Sequence, residues 1–226
     1  MKILRFPTPL LKSNMYLLVE DQRGIIIDPY DCQEFSEEIA RQCSQVDYIL
    51  LTHEHYDHIS GTNALRERYG CPVLCSESCG KRIQNSSQNF SRYFEAYATV
   101  QTGEPVPEEL LPVEEYFSSA DEVFSGSRML LWQSHRLELT ETPGHSPGSI
   151  CILADGKILF SGDTLLPGNV TVTRFPGGSA RRYSQIALPY LLKLPLDTRV
   201  YPGHYDSFTL KNHSEIERSM VKTENL

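Results

Sequence analysis

Three observations predict an α/β fold. Apolar runs with strand character fall at residues 14–19, 24–27, 47–51, 128–132, 149–153 and 157–161, and helical patterns lie between several of them. A strand–turn–strand–Asp unit occurs twice, at 15–28 around a turn at 21–24 and at 149–163 around Asp155-Gly156. No low-complexity segment or linker divides the 226 residues, so they read as one domain able to bury a sizeable core without staples.

The elements follow in chain order. After the first hairpin, Asp31 with Glu34 predicts a capping box, and Phe35, Ile39 and Cys43 then share one helical face. The run 47–51 predicts a strand feeding a loop that presents His53 and His55. A helix is expected from about Asp57 to Tyr69, stopped by Gly70. Pro72 with Val73-Leu74 predicts a short strand, which keeps Cys71, Cys75 and Cys79 off a common face; reduced structural thiols are the expectation for the six cysteines. Residues 80–127 are polar and poorly periodic and predict a helical insertion or flap beside the site. From Ser179, a helical face carries Tyr183, Ala187, Tyr190 and Leu194, with Pro189 expected to kink or split it. A last helix is expected from about Thr209.

The chemistry concentrates in His53-Glu54-His55-Tyr56-Asp57-His58, directly after the apolar run Tyr48-Ile49-Leu50-Leu51. Imidazole nitrogen and carboxylate oxygen are the preferred ligands of Zn²⁺ and non-haem iron, and this one segment can supply two neighbouring metals. Three further motifs follow: Thr142-Pro143-Gly144-His145-Ser146-Pro147-Gly148, Phe160-Ser161-Gly162-Asp163-Thr164-Leu165 and Tyr201-Pro202-Gly203-His204. Each ends an apolar stretch at a Gly beside a His or Asp, where the backbone can turn sharply toward a site. A lone Pro-Gly-His would mean only a turn; four such segments in this order read as a metal site.

These motifs resemble those of the metallo-β-lactamase superfamily, and the last three are similar to its glyoxalase II-like hydrolase branch. The resemblance covers nearly the whole chain and is weakest at 80–128. It implies a four-layer αββα sandwich of two mixed β-sheets flanked by helices, built as a pseudo-duplication that the repeated strand–turn–strand–Asp unit fits. It also implies that His53, His55 and His145 hold one divalent ion and that Asp57, His58 and His204 hold a second. Asp163 and a hydroxide would bridge the two. Zinc is the first choice, with iron and manganese as alternatives. Asp57 and Asp163 then become the catalytic carboxylates, and the bridging hydroxide the nucleophile of a metallo-hydrolase. A thioester such as a hydroxyacylglutathione suits this centre, because its thiolate leaves without a dedicated general acid. Arg174, before Phe175-Pro176-Gly177-Gly178, matches the basic residue that grips a glutathionyl carboxylate in that branch; a solvated loop arginine is the plain alternative.

The departures are specific. The chain runs only to Leu226, shortly after His204, where full-length glyoxalase II enzymes continue into a helical domain. Leu166 stands where acyl-homoserine lactonases carry Tyr, and Asp163 where β-lactamases carry Cys or His. Persulfide dioxygenase-like or lactonase activity remain rivals on the same scaffold, and a non-catalytic metal-binding scaffold is the rival from another class. His135 and His213, outside the motifs, read as ordinary surface or strand histidines. The net charge of −8, with no basic cluster beyond Arg181-Arg182, argues against a nucleic-acid partner. The N-terminus has no long apolar run, so the expectation is a soluble cytoplasmic protein acting on a small molecule, without a membrane partner. Its oligomeric state stays open.

Overall fold

The structure, a computed structural model, describes residues 1–111, 116–211 and 216. The chain divides into two compact units, residues 1–75 with 79–123 and residues 76–78 with 124–226.

The first unit is built on a six-stranded sheet in the order β1-β2-β3-β4-β5-β6, from β1 (Lys2–Pro7), β2 (Asn14–Glu20), β3 (Arg23–Ile27), β4 (Gln45–Leu50), β5 (Val73–Ser76) and β6 (Glu122–Phe124). β1, β2 and β3 pair antiparallel; β3–β4 and β4–β5 pair parallel. The β2–β3 turn is tight because Asp21 and Gln22 both adopt positive φ. Met15, Leu17, Ile26, Ile49 and Val73 pack with Phe35, Ile39, Ile59 and Leu65 from the helices α1 (Gln33–Gln42), α2 (Tyr56–Ile59) and α3 (Thr62–Tyr69). Beyond β5 come α4 (Glu77–Arg82), which starts before residue 80, and α5 (Phe94–Thr102), which lies inside the segment expected to be helical. Cys71, Cys75 and Cys79 belong to the apolar cluster, and all six cysteines are reduced thiols.

The second unit carries another six-stranded sheet, in the order β12-β11-β10-β9-β8-β7. Its strands are β7 (Ser127–Trp132), β8 (His135–Glu141), β9 (Ile150–Ala154), β10 (Ile158–Gly162), β11 (Arg199–Pro202) and β12 (Phe208–Thr209). Only β10–β11 is parallel; the other neighbouring pairs are antiparallel. Cys151, Leu159 and Val200 pack against Tyr183, Ala187 and Leu191 of a helical stretch. That stretch comprises α6 (Ala180–Arg182), a π turn over Tyr183–Ala187 and α7 (Leu188–Leu191). Two mixed six-stranded sheets flanked by helices meet the αββα expectation.

Three local expectations need correction. Asp31 does not cap α1: the N-cap is Cys32 with no side-chain bond, and the Asp31 carboxylate is held by Arg68 instead. The helix expected over 57–69 is two helices, α2 and α3, broken at Gly61. There the backbone donates to Pro29 O, and a Cβ would stand 2.5 Å from Asp31 N, so the chain passes too close to β3's exit for a continuous helix. Thr209 ends β12 rather than opening a helix, because it pairs with Arg199; beyond 211 only Ile216 is described, helical and buried. Pro189 does split its helix, through the π turn just before it. His213 lies outside the described residues, and His135 opens β8 with its Nδ1 2.6 Å from Asp155.

Candidate metal centre

In the first unit, strand pairing sets the geometry. β3 and β4 run parallel in a register that aligns Ile27 with Leu50, so both chains leave the sheet side by side. Asp28, at positive φ, donates its N–H to Leu50 O and turns its carboxylate toward the start of the His-rich loop. One oxygen accepts from the Thr52 amide (2.7 Å), the other from the Thr52 hydroxyl (2.6 Å). His58 Nδ1 lies 3.0 Å from that second oxygen, and the Thr52 hydroxyl is 3.0 Å from His53 Nδ1. Two imidazoles are thereby oriented by one buried carboxylate. The His53 ring sits 4.7 Å from that of His55 and 4.3 Å from that of His58.

The short helix α2 begins with His58 N donating to His55 O, and its first turn puts Asp57 Oδ2 3.5 Å from His58 Nε2. Ser13 Oγ anchors the Asp57 carbonyl at 2.9 Å, and Phe90 packs edge-on against His55. Glu54, fully buried, pairs with Arg82 Nε of α4 at 2.6 Å. Asp28, His53 and His58 also offer ligand atoms within 4.8 Å of one another. Since the Asp28 oxygens are engaged by Thr52 and His58, within that trio Asp28 reads as the support behind the two imidazoles.

The second unit presents His145, Asp163 and His204. His145 sits in a loop tightened by Thr142 N donating to Ser149 O and by the Ser146–Ser149 hydroxyl pair. The loop needs Gly144, since a Cβ there would stand 2.5 Å from Tyr183 Cβ. His145 Nδ1 lies 2.9 Å from Val172 O, and Phe175 packs edge-on against its ring. β10 ends at Gly162 with φ +48, and Gly162 pairs in parallel with Pro202. That pairing carries Asp163 and His204 out of neighbouring strand ends. Asp163 Oδ2 then lies 3.6 Å from His145 Nε2 and 3.5 Å from His204 Nε2.

These separations are informative. They exceed a good N–H···O bond, yet two donors on one tetrahedral ion at ~2.1 Å lie ~3.4 Å apart. His53, His58 and His145 each engage Nδ1 with a hydroxyl, carboxylate or carbonyl, the arrangement usual behind metal-bound imidazoles. The donor chemistry in both units therefore fits divalent cations. Between the ligands, Tyr56 has its phenol pushed up to about 12, chiefly by burial and then by Tyr116 and Tyr30, so it stays neutral.

In the first unit His53 and His55 lie in the loop after β4 and Asp57 and His58 in α2; in the second, His145 lies in the loop after β8, and Asp163 and His204 just past the ends of β10 and β11. Arg174 is exposed in the loop that supplies the Val172 carbonyl. Sequence reasoning missed Asp28 as an orienting group, although it closes the first strand–turn–strand unit. It also missed Thr52 and the Glu54–Arg82 pair.

Residues 8–204 match the Metallo-beta-lactamase superfamily. The chain belongs to that superfamily. Among its relatives, Bacillus subtilis (strain 168) "Probable metallo-hydrolase YqgX" is 30% identical over 206 residues, 90% of either chain. The hydroxyacylglutathione hydrolase GloC of Haemophilus influenzae is 26% identical over 207 residues, covering 90% of this chain and 91% of that one. Among solved structures, the BLEG-1 B3 metallo-β-lactamase matches with TM-score 0.75 at 25% identity, over 97% of this chain and 100% of that one. TTHA1623 in a di-iron-bound form matches with TM-score 0.66 at 27% identity, over 93% and 96%. Superfamily membership and the His/Asp donor sets make this chain a metallo-hydrolase of the metallo-β-lactamase fold. Among the described residues, no helix is long and apolar enough to cross a membrane.

Proposed function

We propose that the chain hydrolyses a thioester, with a hydroxyacylglutathione as the representative substrate, at a centre of two divalent ions. His53, His55 and His145 would hold one ion, Asp57, His58 and His204 the other, and Asp163 would bridge them. The observation that carries the reading is the support behind the ligands: Asp28, Thr52 and the Val172 carbonyl each hold an imidazole by its Nδ1. Bound there, two divalent ions supply Lewis acidity toward a carbonyl and lower the pKa of a shared water toward ~7.

The chain's own residues do the rest. Asp57, fixed by Ser13 through its carbonyl, can orient the attacking water as well as bind metal. Asp163 offers a second carboxylate at the same place in the reaction, and a thiolate leaving group needs no further acid. Arg174, exposed on its loop, is assigned to a carboxylate of the thiol moiety. The GloC relative supports the thioester class, and the di-iron form of TTHA1623 supports two ions, with iron as an alternative to zinc. Reduced thiols at all six cysteines suit a reducing cytoplasm, and a net charge of −8 suits a small-molecule substrate rather than nucleic acid.

The test is thiol release from S-lactoylglutathione and from simpler acyl thioesters by protein of measured metal content, beside Asp163→Asn. Turnover that collapses in the variant establishes the thioesterase. Protein carrying both metals that cleaves no thioester refutes it and turns the search to lactones and persulfides.

A further inference from the structure

Bulky residues rarely adopt a left-handed backbone, because their Cβ then crowds the following carbonyl. Phe90 does so, with φ 68° and ψ 3°, just before a short 3₁₀ turn over Ser91–Tyr93. Its neighbours hold it there. Asn89, fully buried, donates its side-chain amide to Ile83 O at 3.2 Å and to Tyr116 O at 2.8 Å, and accepts from Ser91 N at 2.9 Å. Ser91 Oγ accepts from Tyr116 N at 3.1 Å, while Asn89 N donates to Asn85 O and Arg92 N to Ser86 O. Hydrogen bonds therefore fix both flanks of Phe90, and the bend falls on the residue between them. Such a conformation persists only where the surroundings over-determine it.

What the bend achieves is the placement of a ring. Phe90 meets the His55 imidazole edge-on, with centroids 4.8 Å apart and planes at 77°. His53 meets the same imidazole at 4.7 Å and 76°, so two rings, each nearly perpendicular to it, border His55. His53, His58 and His145 are oriented through Nδ1 by polar atoms at 2.9–3.0 Å; His55 is bordered by rings. An edge-to-face neighbour is attractive in itself and blocks rotation of the ring it touches. A donor already held in its binding orientation loses less freedom when the ion arrives.

We propose that Phe90 is a positioning residue for His55: the strained loop at 84–93 holds its ring against the imidazole and keeps that donor oriented for a divalent ion. The inference rests on the reading of His55 as a metal ligand and deepens it. Linkage makes the effect reciprocal, since a ring that raises metal affinity requires the ion to stabilise the loop conformation by the same factor. The segment at 80–127 thereby gains a part in metal binding, although it supplies none of the proposed ligands.

The test measures zinc affinity by chelator competition on the full chain, for the parent, Phe90→Asn, Phe90→Leu, Phe90→Tyr, His55→Asn and the Phe90→Asn/His55→Asn double variant. Asn suits a left-handed backbone but lacks the ring, Leu keeps the apolar bulk without the ring, and Tyr keeps the ring. Phe90→Asn and Phe90→Leu should each weaken zinc binding about 10–100-fold, the loss expected for a group that orients a ligand, and Phe90→Tyr should keep the parent affinity. In the His55→Asn background the Phe90→Asn change should add nothing, because a residue acting through an imidazole has no effect once that imidazole is gone. Hydrogen exchange gives a second readout: zinc should slow the Asn89, Ser91 and Arg92 amides in the parent and not in Phe90→Asn. A parent that binds no zinc overturns the metal-centre reading and this inference with it. A parent that binds zinc no tighter than either ring-less variant overturns the inference alone. A loss that persists undiminished in the His55→Asn background makes Phe90 a packing residue of its loop and overturns it too.

Discussion

The two strand–turn–strand–Asp units are near copies in topology and opposites in use. In each, an antiparallel hairpin (β2–β3, β9–β10) ends at an Asp, and the next strand pairs in parallel (β4, β11) and exits toward a His. Both hairpin turns place their central residues at positive φ, Asp21 and Gln22 in one, Asp155 and Gly156 in the other. The difference lies in what each carboxylate meets. Asp28 is itself the left-handed residue and turns into the Thr52 amide and hydroxyl and His58 Nδ1, so it is consumed as a support. In the second unit the left-handed residue is Gly162, one position earlier, and Asp163 faces two imidazole Nε2 atoms at ligand spacing. A one-residue change in where the backbone turns separates a carboxylate that orients ligands from one placed to be a ligand.

Substitutions can break or sharpen this contrast. The largest effect is expected from Asp163→Asn. Losing the carboxylate proposed to bridge the ions should lower kcat/KM by more than about a thousandfold, since several kcal/mol of charge stabilisation vanish at tenfold per ~1.4 kcal/mol. Metal analysis of the same protein should show reduced occupancy with the fold intact by circular dichroism.

Next comes Arg82→Met. It strands the fully buried Glu54 inside the His-rich loop, and removing one partner of a buried pair costs about 3–5 kcal/mol. A urea titration reads this; a loss under about 1 kcal/mol would mean the pair is not what holds that loop.

Asp28→Asn keeps the shape and tolerates positive φ but weakens the hold on His58 and Thr52. Metal affinity or activity should fall about 10–100-fold, less than for Asp163→Asn. Equal effects in the two variants would erase the distinction between support and ligand.

The smallest effect tests the second hairpin's turn. Burial works against the Asp155 carboxylate, but the Arg136 amide and the His135 ring hold it below the usual range. A depressed folded pKa stabilises above the unfolded value, ~3.9, and that stability is lost as pH falls through the folded one. His135→Ala should therefore cost less than about 1 kcal/mol at pH 7, for a partly exposed pair. The gap from the parent should close below about pH 4 in thermal melts.

The His and Asp donors that the structure gathers into candidate metal-binding groups, the paired hairpins and most central strands were legible in the sequence. Half-buried and edge strands were harder. β8 is hidden because its charged residues alternate with only two fully buried leucines, Leu137 and Leu139. β1 alternates without a fully buried residue, and β11 and β12 are too short to show a period. The Asp31 capping box failed because Arg68, 37 residues away, claims the carboxylate.

What the sequence by itself determined was the inventory of donors and the local turns that expose them. Imidazole and carboxylate chemistry, glycine at sharp turns and the period-2 run are all properties of short segments. What only the tertiary structure decided was the use of each group. Asp28 supports and Asp163 faces imidazoles because β3–β4 and β10–β11 pairing delivers different neighbours to each. The buried Glu54 pairs with Arg82, and Leu10, Tyr56 and Leu110 meet in one cleft. The physical reason is common to these cases: a lone pair or an apolar face is satisfied by whatever the fold packs beside it, and that partner is remote in sequence.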